Sequence, residues 1–209
     1  MIRIFGVSTS RTLRVHWAMK EAGIEYETVP IKAGTEESKS DDFKKINITS
    51  KIPAADFNGH HLTESCAIIK YIGNQYNKNL VGRDLIEDSR IDEWLYFLLS
   101  EIDSHTLYII DKHAGALSHI FGKSEGAAKT AVNGFNEQII KLSRGIADNY
   151  FLIGDRVTVA DIMAVTCLIW AKKLTKYGIE IPRNCLQYTD SIMKRPQFAD
   201  AWNENYEKY

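Results

Sequence analysis

The side chains that could do chemistry fall in a few short stretches. Ser8-Thr9-Ser10-Arg11 gathers hydroxyls and a guanidinium in one turn. The apolar spacing of Leu13, Val15, Trp17, Ala18, Met19 and Ala22 predicts a helix from Ser10 that stops at Gly23. The hydroxyl turn therefore lies at a helix mouth, where free N–H groups and the helix dipole favour an anion. The same hydroxyls would also cap the helix.

A second anion site is expected at Glu64-Ser65, where a strand gives way to a helix and Ser65 can serve as N-cap. Pro53 opens the preceding strand and gives up one ladder donor. His105, Tyr108 and Lys112 share one face of a long helix by their i, i+3, i+7 spacing. Thr158-Val159-Ala160-Asp161 reads as a capping box that opens an apolar helix, a structural rather than a ligand-binding element. No metal site is expected: His60-His61 flank a turn, and His105, His113 and His119 lack the i, i+4 pairing.

The elements that must position these residues change character along the chain. Ile2–Phe5 and Tyr26–Ile31 read as strands on either side of the first helix. The charged segment Lys32–Lys45 is expected as a loop with a short irregular helix. Ile52–Phe57 and His60–Thr63 flank Asn58-Gly59, a two-residue hairpin signal, and Ser65–Tyr76 carries a helical apolar stripe. The order β-α-β, loop, β-β-α gives a small mixed sheet with helices on its faces. Past Asn79 only long amphipathic runs occur. The expected division is an α/β domain over 1–77, a polar linker at 78–84 and an all-α helical bundle over 85–209.

Lys plus Arg number 26 against 27 for Asp plus Glu. So even a balance offers no broad basic footprint for nucleic acid or an anionic membrane. The first residues turn polar too soon for a signal peptide, and no stretch nears the roughly 20 apolar residues of a membrane span. Cys66, Cys167 and Cys185 are odd in number and widely spaced, against a disulfide framework or structural zinc. The expected setting is a reducing cytoplasm.

Three stretches together resemble the glutathione S-transferase family, in its order and at its spacing. They are Ser8–Val15, then Lys51-Ile52-Pro53 with Leu62–Ile68, then Gly154–Ile162. The resemblance implies a thioredoxin-like domain followed by a helical domain, and a cytosolic, bacterial or theta-like member that uses a serine or threonine hydroxyl. It implies glutathione as co-substrate with no separate cofactor, a small hydrophobic electrophile as second substrate, and a homodimer. Ser65 and the helix start would take the γ-glutamyl carboxylate and Glu64 the ammonium. Pro53 would be cis and would aim the Ile52 backbone at the cysteinyl part. Lys39 and Lys51 would meet the glycyl carboxylate. Ser10 is ranked first as thiol activator, then Thr9, then Ser8, with Arg11 adding positive potential. Counting back from Arg14-Val15 puts the serine of several classes on Thr9. His105, Tyr108, Lys112 and Trp170 would line the electrophile pocket between the domains, with Trp202–Tyr209 closing it. The turn holds no tyrosine and no cysteine, which disfavours the classes that use them. Ile48-Thr49-Ser50 departs from the family's usual Asn-Pro-x-Gly run.

Overall fold

The computed structural model describes every residue but Asp148 and divides into two units, Met1–Asp88 with Met193–Tyr209, and Ser89–Ile192. In the first unit, strand β1 (Ile2–Phe5) leads into helix α1 (Ser10–Ala22). Gly23 ends α1 in the left-handed conformation at φ 66°, which glycine adopts without a Cβ clash. Strand β2 (Glu27–Val29) runs parallel to β1. The charged segment holds two short helices, α2 (Glu36–Lys39) and α3 (Asp41–Ile46), capped by the hydroxyls of Thr35 and Ser40.

Strands β3 (Ala54–Phe57) and β4 (His60–Thr63) form the expected hairpin. Both of its turn residues, Asn58 and Gly59, have positive φ, as a type I′ turn requires. Helix α4 (Ser65–Tyr76) completes the motif, and the mixed sheet has the order β2-β1-β3-β4. Because successive strand residues face opposite sides, Phe5 meets Phe43, Ile46 and Ile52 on one face while buried Ile4 looks to the other. Helices α1 and α4 pack together, and α4 lies on β3 and β4. Asp56 accepts from Arg3 at 2.6 Å and from the Gly59 N–H at 2.5 Å, which pins the hairpin to β1.

In the second unit, α5 (Leu85–Phe97) runs through a π-helical stretch, Leu98–Leu107, into α6 (Tyr108–His113). Helices α7 (Ser118–Phe121), α8 (Glu125–Ile146), α9 (Val159–Leu174) and α10 (Arg183–Ile192) follow. Among the described residues no strand follows β4. Helix α9 is buried all round from Val159 to Ile169, as a core helix must be. Its capping box forms as expected. The Asp161 carboxylate accepts from the Thr158 N–H at 2.8 Å, the Thr158 hydroxyl at 3.0 Å, the Leu152 N–H at 2.8 Å and the Tyr188 hydroxyl at 2.6 Å. Burial raises this carboxyl's pKa, and the donors act against that rise.

The chain then returns to the first unit. Helix α11 (Pro196–Trp202) continues into a π-helical turn, Asn203–Glu207, and this tail packs along α1. The sequence reading placed the tail with the helical domain; its contacts group it with the sheet. Arg195 grips the Glu21 carboxylate with two hydrogen bonds of 2.7 Å. Trp17 donates to the same carboxylate and meets Phe198 edge-on at 5.0 Å. Covering an aromatic side chain of this size contributes about 1.5–3 kcal/mol, so the tail closes the core on the outer side of α1.

Candidate functional site

Gly6 brings the mouth of α1 against the residue before Pro53. It has φ 115°, and a β-carbon there would lie 2.6 Å from Ile52 Cβ and 2.9 Å from Thr12 Cγ2. Only glycine fits so close an approach with that φ. The Ile52–Pro53 bond is cis. The start of β3 and the mouth of α1 are therefore neighbours across a single residue.

Thr9 is the N-cap of α1, accepting from the Thr12 N–H, and Thr12 in turn accepts from the Thr9 N–H. Ser10 is the first helical residue, and no acidic residue lies in the first turn. Ser8 is exposed at φ 68°, while Thr9 and Ser10 are half-buried. From the tail, the Asn205 carbonyl accepts the Ser8 N–H at 2.9 Å. Burial raises the Tyr206 phenol's pKa, with the Ser10 side chain and the Arg14 charge pulling it down. Arg11 lies half-buried in the same turn.

At the start of α4 the sequence expectation needs one correction. Ser65 is the first helical residue and Glu64 occupies the cap position, because the Ile68 N–H closes the first helical bond on the Glu64 carbonyl. Glu64 is exposed at φ 67°, ψ 113°, without a side-chain cap bond. A non-glycine residue in such a region costs about 1–3 kcal/mol, and the conformation leaves the first N–H groups of α4 without a side-chain cap. Ser65 is buried, and its hydroxyl accepts from Arg14 Nη1 at 3.2 Å. Arg14 is fully buried on α1 and so places a positive charge beneath the α4 N-terminus. His16, on the same helix, has Nε2 3.0 Å from the Gly6 carbonyl and Nδ1 3.0 Å from the Tyr26 hydroxyl. Burial lowers its pKa to about 4, so at neutral pH the ring donates to Gly6 and accepts from Tyr26.

Lys51 is exposed beside Ile52, and Asn47 Nδ2 donates to its carbonyl at 2.8 Å. Lys39 is exposed on α2 and pairs with Glu36 at 3.3 Å. In the second unit, Lys112 lies over the Tyr108 ring at 4.4 Å, and Tyr108 meets Trp170 at 6.3 Å. His105 instead lines an open cleft of about 490 Å³ against α8, with Glu101, Ile109, Ala127 and Gln138. The π-helical stretch that ends at Leu107 has wider turns than the α-helix assumed from the spacing. Among the described residues no group of three or more His, Cys, Asp or Glu could hold a metal, and no helix is long and apolar enough to cross a membrane.

Sequence reasoning missed Arg14 and Asn205 as site residues. Arg14 left a signal, a charge inside the apolar run Leu13-Arg14-Val15, since a buried charge needs a partner. Asn205 sits in a polar tail among residues of its own kind and left none.

Residues 2–74 match the family model "Glutathione S-transferase, N-terminal domain", and residues 110–202 match "Glutathione S-transferase, C-terminal domain". The chain is 29% identical to the probable elongation factor 1-gamma 2 of Arabidopsis thaliana over 77% of this chain and 39% of that protein. It is 26% identical to the maleylacetoacetate isomerase of Dictyostelium discoideum over 95% of this chain and 90% of that one. The chain thus spans about two fifths of the elongation factor relatives it matches. A theta class glutathione S-transferase from Xanthomonas axonopodis pv. citri, solved with glutathione bound, superposes with a TM-score of 0.82 at 18% identity, covering 99% of this chain and 97% of that one.

Proposed function

The chain belongs to the glutathione S-transferase family, and from that premise we propose that it binds glutathione in its first unit and transfers the thiolate to small hydrophobic electrophiles. The observation that carries this reading is the convergence at Gly6. The cis Ile52–Pro53 bond and the hydroxyl-rich mouth of α1 lie together at this residue, and the Arg14–Ser65 bond ties α1 to the start of α4. The γ-glutamyl carboxylate takes the N–H groups of α4 and the Ser65 hydroxyl, with the Arg14 charge behind them. Glu64 meets the ammonium, the Ile52 backbone meets the cysteinyl unit, and Lys39 and Lys51 meet the glycyl carboxylate. Ser10, Thr9 or Ser8 donates to the sulfur, and Arg11 adds positive potential.

The thiol gives its proton to solvent. The thiolate then forms a C–S bond to an electrophilic carbon while halide or another leaving group departs with its electron pair. The site thereby supplies an ionised nucleophile at a pH where the free thiol is mostly protonated. Tyr108, Lys112 and Trp170 are the side chains assigned to the second substrate. The setting is cytoplasmic and the active-site type theta-like. Calorimetry tests the core of this reading: glutathione binds the parent, and Ser65→Ala and Glu64→Ala each weaken it about tenfold or more. Unchanged affinity in both removes the site.

The similarity to maleylacetoacetate isomerase, which extends over nearly the whole of both chains, favours glutathione-dependent isomerisation as a second reading. A non-catalytic binding module, the reading nearest the elongation factor relatives, would bind glutathione and turn nothing over. Steady-state assays with aryl halides, enals, hydroperoxides and cis-enediones separate the three. The protein is also assigned a two-fold homodimer. Light scattering at micromolar concentration gives about twice the 23.8 kDa chain mass if so, and the chain mass alone if not.

A further inference from the structure

Asn205 is buried where the tail meets the mouth of α1, and it lies beyond the stretch matched by the C-terminal family model. Its contacts determine where protons sit in the hydroxyl turn. The Thr12 hydroxyl has one proton and three acceptors within reach, the Thr9 carbonyl at 2.9 Å, Thr9 Oγ1 at 3.0 Å and Asn205 Oδ1 at 2.6 Å. The Thr9 carbonyl already receives the Leu13 N–H at 3.0 Å and Asn205 Nδ2 at 3.1 Å. That second bond also fixes which end of the Asn205 amide faces Thr12. With the carbonyl's lone pairs taken, the Thr12 proton goes to Asn205 Oδ1, the nearer of the remaining two.

The consequence falls on Thr9. Its Oγ1 accepts the Thr12 N–H at 3.0 Å and lies 3.0 Å from Thr12 Oγ1. Were the Thr12 proton uncommitted, it could point at Thr9 and compete with a ligand for that oxygen's orientation. Once it is committed to Asn205, the Thr9 hydroxyl is the donor of the Thr9–Thr12 pair. Without a ligand it donates to Thr12, and a thiolate is the stronger, charged acceptor. Thr9 is half-buried and its cap bond holds the oxygen in place, whereas Ser8 is exposed and Ser10 faces Tyr206.

We propose that Asn205 is a positioning residue of the thiol site: by accepting the Thr12 proton it leaves the Thr9 hydroxyl as donor to the glutathione thiolate. This rests on the glutathione reading above. It ties the chain's last turn to the chemistry at its first helix, and it places Thr9 ahead of Ser10.

The test is the pH titration of thiolate absorbance in the glutathione complex of the full chain, with affinity measured in parallel by calorimetry. Asn205→Ala raises the bound thiol's pKa by about one unit, a roughly tenfold loss of thiolate below that pKa, with glutathione affinity changed less than about twofold. Thr12→Val removes the competing proton and keeps the parent value, and in that background Asn205→Ala no longer raises the pKa. Parent-like titration of Asn205→Ala, or a rise that persists in the double variant, overturns the assignment. If Asn205→Ala does not fold, Asn205→Leu, which keeps the bulk without the acceptor, decides by the same rise, and its parent-like titration overturns it. A parent that binds no glutathione overturns the functional reading and this inference with it. A parent that lowers the thiol pKa regardless of these variants overturns the role of Asn205 only.

Discussion

Helices α1 and α9 open with the same device and use it for different ends. Each begins with a threonine whose hydroxyl accepts from the backbone one turn on, while the fourth residue of the box reaches back to the cap N–H. Each box is tied down by a residue from much later in the chain, Asn205 at α1 and Tyr188 at α9. At α9 the reaching residue is Asp161, whose charge answers the helix dipole and whose oxygens are filled by buried donors. Nothing is left for a ligand. At α1 the reaching residue is Thr12, which is neutral, and the first turn carries no acid. The positive end of α1 is therefore uncompensated and half-open. A carboxylate in a capping box answers the helix dipole itself; a neutral hydroxyl in the same place leaves that dipole unanswered.

The largest expected effect tests the structural end. Asp161→Ala leaves two N–H groups and two hydroxyls in the core without their acceptor, at a cost of about 3–5 kcal/mol. Urea denaturation measures it. If the variant folds at low temperature, the pKa of a thiol bound in the first unit should not move. A cost under about 1 kcal/mol would break the contrast, because α9 would then hold its shape without its carboxylate.

A second test concerns what stands behind the functional end, where His16 is buried neutral against Gly6. Its folded pKa of about 4 is below the ordinary 6.5, so between these values the unfolded chain binds more protons. Stability is then complete above about pH 6.5 and is lost as pH falls toward 4, by up to about 3 kcal/mol. His16→Gln keeps a donor for Gly6 and an acceptor for Tyr26 but cannot titrate. Its stability should fall less than the parent's between pH 7 and pH 4. Equal slopes in urea midpoint against pH would show that His16 charges without cost.

The smallest effect, and the sharpest for the comparison, comes from giving α1 the charge that α9 has. Thr12→Asp supplies a good capping-box residue, and Asn205 can turn its amide to donate to it. The fold should hold while the bound thiol's pKa rises by about one to two units, because a carboxylate now occupies the positive helix end. A parent-like thiolate titration would mean that charge at this position is not what separates the two ends.

Much of this molecule is legible in its residues because local rules decide it. Asn58-Gly59 selects the tight turn, Thr158 and Asp161 announce their box, and Gly23 stops the first helix, each through backbone preferences that act within a few residues. The expectation that Ser8–Arg11, Ile52-Pro53 and Glu64-Ser65 serve one site rests on family resemblance. What the sequence could not decide was which residues answer one another across long separations. That Glu64 rather than Ser65 is the cap is decided by the Ile68 N–H, which bonds the Glu64 carbonyl. That Tyr108, Lys112 and Trp170 meet while His105 faces another cleft depends on a π-helical stretch with no local signature. That residues 193–209 belong with the sheet follows from Glu21 meeting Arg195 and Trp17 meeting Phe198. An amide such as Asn205 is compatible with a solvated tail anywhere in a sequence. Only packing decides that this one is buried 196 positions from Thr9, where its two ends must each find a partner.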